Sequence, residues 1–214
     1  IGIATDRAFG FYYPDDLEAL QEAGAVLVPI DTLADPHLPA IEGLFLGGGF
    51  PETCGRELAA NGSLRHELRR AIEAGLPVYA ECGGLMYLSR SLTHGRDTYA
   101  MVGAIAADAV MHDKPVGKGY VTLAETPQHP WRGAGASTEA HEFHYSSLEN
   151  VDPATTYAYR VLRGHGIDGR HDGIVHRNVL ASYAHLRSVG GNDWAARFVA
   201  HVRRSMPRVA RAAA

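Results

Sequence analysis

A cysteine set between a short apolar run and a pair of glycines is the residue of this sequence best placed to do chemistry. Val78-Tyr79-Ala80-Glu81-Cys82-Gly83-Gly84-Leu85-Met86 reads as a buried strand, a one-residue turn and the start of a helix. A nucleophile at such a turn stands at the carboxyl edge of a sheet, where α/β proteins bind their ligands. The glycines let backbone and substrate approach closely. A helix that starts there points its free N–H groups and positive dipole end at the sulfur, an environment that favours thiolate over thiol. A buried structural thiol would leave the same local trace, so the cysteine alone does not decide its role.

Two further segments supply what a nucleophilic cysteine needs. Gly47-Gly48-Gly49-Phe50-Pro51-Glu52 follows an apolar run, and stacked glycines at a strand end can turn their N–H groups toward a ligand. Acyl transfer needs two such donors for the oxyanion of its tetrahedral intermediate, one from the Gly48–Gly49 loop and one from Gly83. A plain tight turn is the competing reading, and a dinucleotide loop is not, because no GxGxxG opens a helix here. Downstream, Ala181-Ser182-Tyr183-Ala184-His185-Leu186 places His185 after a strand-like run. A cysteine hydrolase needs a histidine to take the thiol proton and return it to the leaving group. The chain holds twelve histidines, so spacing by itself favours none of them.

Other polar clusters read more simply. In His141-Glu142-Phe143-His144-Tyr145-Ser146 two histidines flank a glutamate at a spacing that would suit a metal on a helix. The interleaved Phe143 and Tyr145 indicate a strand, which sends alternate side chains to opposite faces. A third ligand is lacking, so no metal site is expected. The glycine-rich stretch from Gly164 to Gly173, with His165, His171 and Asp172, reads as a surface or pocket-rim loop. Gly117-Lys118-Gly119 lacks the GxxxxGK[ST] frame of a phosphate loop, so no ATP site is expected in this chain.

These residues need a scaffold, and the flanking pattern describes one. Apolar runs at Ile1–Ala4, Ala25–Ile30, Leu44–Leu46 and Leu76–Ala80 alternate with helical spacing over Pro14–Ala23, Leu58–Ala74 and Gly83–Leu92, with Gly24 and Gly75 as stops. Strand and helix in alternation predict a parallel sheet covered on both faces. From Tyr99 to Tyr183 short strand-like runs dominate (Tyr120–Leu123, Tyr157–Leu162, Gly173–His176 and Val179–Tyr183), predicting antiparallel strands that extend the sheet. Asp193–Arg204 closes the pattern as an amphipathic helix with Trp194, Phe198 and Val202 on one face.

The totals agree with one domain. A length of 214 residues fills one core, and 46% hydrophobic with 21% charged residues is an ordinary globular balance. A net charge of −4 gives no sign of a nucleic-acid surface, which would need a basic stripe. No apolar run reaches a membrane span, and no signal peptide precedes the first strand. Two isolated cysteines, Cys54 and Cys82, suit a reducing cytoplasm, where the protein is expected. The start at Ile1, directly on a strand and without an initiator Met, is expected of a domain cut from a longer chain. Residues 1–206 are read as the domain and 207–214 as a basic, Ala-rich tail.

With these segments in order, the sequence resembles the glutamine amidotransferase domain of the cobyrinic acid a,c-diamide synthase type, a corrinoid-pathway branch of the class I amidotransferases. The resemblance runs through Ala8-Phe9-Gly10-Phe11-Tyr12-Tyr13-Pro14, Leu46 to Glu52, Glu81 to Met86, Gly119-Tyr120, His141 to Ser146 and Ser182 to Leu186. It implies a three-layer, flavodoxin-like α/β fold and a glutaminase that frees ammonia through a Cys82 thioester. It further implies His185 as base and an oxyanion hole from Gly48, Gly49 and Gly83. Implied partners are glutamine, an N-terminal ATP-dependent synthetase domain that this chain does not contain, with its ATP and Mg2+, and a tetrapyrrole acceptor. A homodimer is a further partner expectation, while nucleic acid and membrane are not expected. Cobyrinic or hydrogenobyrinic acid is the leading acceptor, and sirohaem or nickel sirohydrochlorin the runner-up. A degenerate docking module and another cysteine hydrolase on the same fold are the competing classes. One position departs from the class I pattern: Arg187 stands where His-x-Glu would place an orienting glutamate. Glu81, Glu142 or a backbone carbonyl are the candidates to orient His185, and His144 and Tyr145 are candidate substrate contacts.

Overall fold

The structure, a computed structural model, describes residues 1–131 and 137–206. The expected tail, 207–214, lies outside the described residues. A nine-stranded sheet forms the centre. Its parallel half runs Val28–Ile30, Gly2–Ala4, Leu44–Leu46, Val78–Glu81 and Val179–Ser182, each parallel to its neighbour. His171–His176, Thr156–Arg163, Gly117–Glu125 and Ser137–His144 then continue it antiparallel. The parallel strands are short and apolar because both of their faces are covered. On one face lie Leu64, Leu68 and Ile72 of the helix Gly62–Glu73 with Leu85 and Met86 of the helix Gly83–Leu88. On the other, Leu20 of Pro14–Glu22 and Trp194, Phe198 and Val202 of Trp194–Ser205 close over Phe45 and Tyr79. The three-layer α/β architecture is thus as expected.

Several boundaries differ from the sequence pattern. The predicted helix Leu58–Ala74 is two, Gly55–Ala60 and Gly62–Glu73, split at Asn61, whose amide donates to the Thr32 and Asp35 carbonyls and so draws the backbone out of helical register. The helix after Cys82 ends at Leu88 instead of Leu92, because Ser91–His94 joins a separate four-stranded sheet with Asp97–Ala100, Asp108–Met111 and Ser146–Glu149. The second strand covers only Val28–Ile30 of the expected Ala25–Ile30. Among the described residues, no helix is long and apolar enough to cross a membrane.

Candidate active site

Cys82 sits where strand becomes helix, with φ 48° and ψ −99°. A left-handed φ at a residue with a side chain costs on the order of 1–3 kcal/mol and persists only where the surroundings over-determine it. Here they do: the Cys82 N–H donates to the Ser182 carbonyl at 2.8 Å, and its carbonyl accepts the Met86 N–H at 3.1 Å. Gly84 could carry no side chain, since a Cβ would stand 2.3 Å from the Leu46 carbonyl oxygen. The sharp turn leaves Sγ just beneath the surface, 3.8 Å from the Phe143 carbonyl oxygen.

His185 arrives beside it because the two strands run in register. Ser182 pairs with Glu81 across the parallel ladder, so the chain segments leaving both strands emerge at the same sheet edge. Three clamps hold the segment that carries the histidine. The buried Asp172 carboxylate accepts the Tyr183 and Ala184 N–H groups, His185 and His141 exchange backbone hydrogen bonds, and the Leu186 N–H donates to Glu81 Oε1 at 2.9 Å. Asp172 is therefore buried in a strand and braces the site; it does not lie on a surface loop as the glycine-rich stretch suggested.

The imidazole has two polar neighbours, Glu81 and Cys82. Its Nδ1 is 3.4 Å from Glu81 Oε2, and the ring faces the Cys82 sulfur. Burial works against a charge on His185, but the hydrogen bonds and charges of Cys82 and Glu81 outweigh it and raise its pKa well above the usual histidine value. Glu81 itself is almost fully buried, with Oε1 taking the Tyr79 hydroxyl at 2.5 Å in addition to Leu186. Arg187, at the position of the class I glutamate, turns outward to pair with Asp15 and cover the Tyr13 ring, and the next N–H, of Ser188, donates to Asp16.

The glycine loop is more than a turn. Gly48–Gly49 pairs antiparallel with Phe9–Phe11 as a small ribbon beside the main sheet. A Cβ on Gly49 would stand 1.9 Å from the Ala8 carbonyl oxygen, and one on Gly48 would stand 2.6 Å from His185 Cε1. Gly83 faces this ribbon, since its Cβ would lie 3.0 Å from the Gly49 nitrogen. The Tyr12 hydroxyl ties the loop down by donating to Ala4 O at 2.6 Å and accepting the Gly47 N–H at 3.1 Å.

Two expected contacts belong elsewhere. Glu142 spends its oxygens on the His165 and Gly166 N–H groups at 2.7 and 2.8 Å, so it fastens the 164–170 loop and is not the partner of His185. His144 is buried, stacked on Tyr183 at 3.8 Å and bound through Nδ1 to the Ser146 carbonyl, which withdraws it from any substrate. Tyr145 stays at the surface against the edge of Phe143. Glu142 and His144 share the buried face of their strand while His141 takes the other, and among the described residues no three His, Cys, Asp or Glu side chains converge to hold a metal ion.

A thiol, a braced imidazole and nearby backbone amides at a sheet edge can perform acyl transfer. Residues 1–192 match the profile of the CobB/CobQ-like glutamine amidotransferase domain. The chain belongs to that family. This amidotransferase domain is 44% identical over 195 residues to the cobyrinate a,c-diamide synthase of Magnetococcus marinus, covering 91% of this chain and 42% of the relative. It is 39% identical over 212 residues to the enzyme of the same name from Methanosarcina acetivorans, covering 93% and 42%. It thus spans less than half the length of these relatives. Among solved structures, PurLQS from Thermotoga maritima superposes with a TM-score of 0.69 at 16% identity over 95% of this chain and 96% of that one. A glutamine amidotransferase superposes at 0.68 and 16% over 94% and 98%. The shared fold is that of the class I amidotransferases.

Sequence reasoning missed Tyr12, Tyr79 and Asp172 as parts of the site. Only Tyr79 left a usable signal: two residues before Glu81 on one strand, it must share that side chain's face.

Proposed function

We propose that this domain is the ammonia-producing half of a cobyrinate a,c-diamide synthase, with Cys82 as nucleophile, His185 as general base and acid, and Glu81 as the residue that orients His185. The Cys82 sulfur attacks the side-chain amide carbon of glutamine, and its proton passes to His185. The carbonyl oxygen becomes an oxyanion beside the amides of the Gly48–Gly49 ribbon and Gly83. Collapse breaks the C–N bond, His185 protonates the departing nitrogen as ammonia, and a thioester remains. Water activated by the same imidazole cleaves it to glutamate and free thiol. The observation that carries this reading is the strained elbow of Cys82 beside an imidazole whose Nδ1 faces Glu81. A glutamate from the nucleophile's own strand supplies what His-x-Glu supplies elsewhere, so Arg187 does not argue for a degenerate site.

The relatives' shared name supports cobyrinate as the acceptor, its carboxylates being activated on the part of those enzymes that this chain does not span. On this reading ATP and Mg2+ also belong with that part. The test is covalent labelling by 6-diazo-5-oxonorleucine, a glutamine mimic. Labelling should fall on Cys82 and vanish in Cys82→Ser; labelling of Cys54 alone, or of neither, sinks the proposal.

A further inference from the structure

We propose that the Tyr79 hydroxyl is a positioning group for this reaction: it fixes the Glu81 carboxylate so that one oxygen is saturated from inside the sheet and the other serves His185. The inference rests on the glutaminase reading above and carries it one residue deeper into the protein.

A carboxylate offers about four lone-pair sites, and its terminal torsion is soft. An orienting carboxylate must therefore be held by something other than the histidine it orients. At Glu81 both holding donors converge on one oxygen, the Tyr79 O–H at 2.5 Å and the Leu186 N–H at 2.9 Å, which leaves Oε2 toward His185 Nδ1 at 3.4 Å. The donors come from opposite ends of the site, Tyr79 from the strand before the nucleophile and Leu186 from just after the base. The carboxylate thereby couples the two segments.

Tyr79 is suited to the task because it cannot move. Its ring is fully buried, stacked on Phe45 at 5.3 Å and wedged against Trp194 and Trp131 at 4.9 and 5.0 Å. Such a cluster is ordinary core packing, but its members Phe45 and Phe198 carry no polar atom, and Tyr79 places its hydroxyl on the orienting carboxylate. Burial, reinforced by the Glu81 charge, holds the phenol pKa well above its usual value, so the group stays a donor across the working range. A short bond to Glu81 also draws off part of the carboxylate charge. A less tempered carboxylate would grip the imidazolium more tightly and slow its proton transfer to the leaving ammonia.

The test uses the full chain with Tyr79→Phe, which keeps the ring and removes only the hydroxyl, and with 3-fluorotyrosine at position 79, a more acidic and stronger donor. The readout is the pH profile of Cys82 labelling by 6-diazo-5-oxonorleucine, with near-ultraviolet circular dichroism to confirm packing. Tyr79→Phe should slow labelling at neutral pH about tenfold, the scale of one hydrogen bond to a charged group. It should also move the alkaline limb upward, and 3-fluorotyrosine should move that limb downward. A rate loss in Tyr79→Phe with both limbs unmoved assigns Tyr79 to packing alone and overturns the inference, as does an unchanged rate. Should Tyr79→Phe fail to fold, the fluorinated protein decides by whether its limb moves. Parent protein that never labels at Cys82 brings down the glutaminase reading and this one together, whereas a labelled parent with an unresponsive Tyr79 brings down this one only.

Discussion

Replacing Gly48 by alanine should disable the site while sparing the fold. The added Cβ would stand 2.6 Å from His185 Cε1, 3.3 Å from Phe11 Cβ and 3.5 Å from His185 Nδ1. Carbon atoms rest at about 3.5 Å or more, so the imidazole has to retreat by about 1 Å. It has little slack: Nδ1 is already 3.4 Å from Glu81 Oε2, and a retreat on that scale removes the alignment that braces the ring. A displacement of about 1 Å in a catalytic group costs on the order of 100-fold in rate, equivalent to about 2.7 kcal/mol of barrier. Stability should change little, because the severe clash falls on one side chain, the Phe11 contact at 3.3 Å needs a shift of only a few tenths of an ångström, and the backbone gains stiffness worth about 0.4–1 kcal/mol.

The assay is the second-order rate of Cys82 labelling by 6-diazo-5-oxonorleucine, read beside a thermal melt. Two neighbours calibrate it. Gly10→Ala, in the facing strand of the same ribbon, meets nothing nearer than the Asp6 carbonyl at 3.9 Å and should label as the parent does. Gly49→Ala drives its methyl to 1.9 Å from the Ala8 carbonyl oxygen, a backbone atom that cannot step aside, and should cost the fold. Folded Gly48→Ala that labels within threefold of the parent would refute the claim that this glycine sets the position of the base.

Two further substitutions probe charge. Glu81→Gln keeps the shape beside His185 and removes the anion, so labelling should drop roughly 100-fold or more, as expected when a histidine loses its orienting carboxylate. The raised His185 pKa means that the folded state binds this proton more tightly than the unfolded chain, whose value is near 6.5. The associated stability is complete below that value and is lost as pH rises through the raised one, so urea midpoints of parent and Glu81→Gln should differ most at acidic to neutral pH. Asp16 has its pKa raised to about 6 from 3.8, chiefly by burial, despite the Ser188 N–H and Trp194 indole that donate to it. Its proton-linked stability is full below 3.8 and gone above about 6, a span worth up to about 3 kcal/mol. Asp16→Asn retains an acceptor and removes the titration, so its melting temperature should lose the parent's decline between pH 4 and 7.

The legible parts of the molecule were those written in local pattern. Val78-Tyr79-Ala80 and Leu44-Phe45-Leu46 are short and apolar, the second running straight into Gly47, and they form the parallel core as read. Gly24 and Gly75 stop their helices with φ of 93° and 100°, a conformation that suits glycine far better than other residues. Asn61 was not legible, because it breaks a helix by reaching two carbonyls at positions 32 and 35, a contact of long sequence separation. Asp172 was misread for the same reason. Glycines on both sides of it signal a loop, while its burial follows from the Tyr183 and Ala184 amides, eleven and twelve residues on, that need an acceptor. At the site, residue types gave Cys82 and His185 as candidates, but the choice between Glu81 and Glu142 depended on which strand lay beside which.

That choice follows from one register. Val78–Glu81 and Val179–Ser182 run parallel with Glu81 opposite Ser182. The proposed nucleophile is the residue after Glu81 and the proposed base lies three residues after Ser182, so an acidic side chain at position 81 on the His185 side of the sheet is already within reach of the imidazole. An acid two residues after the base would have to turn back toward the ring it follows; an acid one residue before the nucleophile is delivered by the strand itself. On the proposed reading the orienting charge comes from that side, and position 187 is not required for catalysis. Its arginine instead ties the segment that carries the base to Asp15 and Tyr13 at the start of the first helix, whose preceding strand, Phe9–Phe11, pairs with the Gly48–Gly49 ribbon. With the proposed roles the motif is rearranged and its physical requirement kept: one buried carboxylate beside Nδ1, fixed by donors of its own, with the Gly48–Gly49 ribbon and His185 anchored to the same helix.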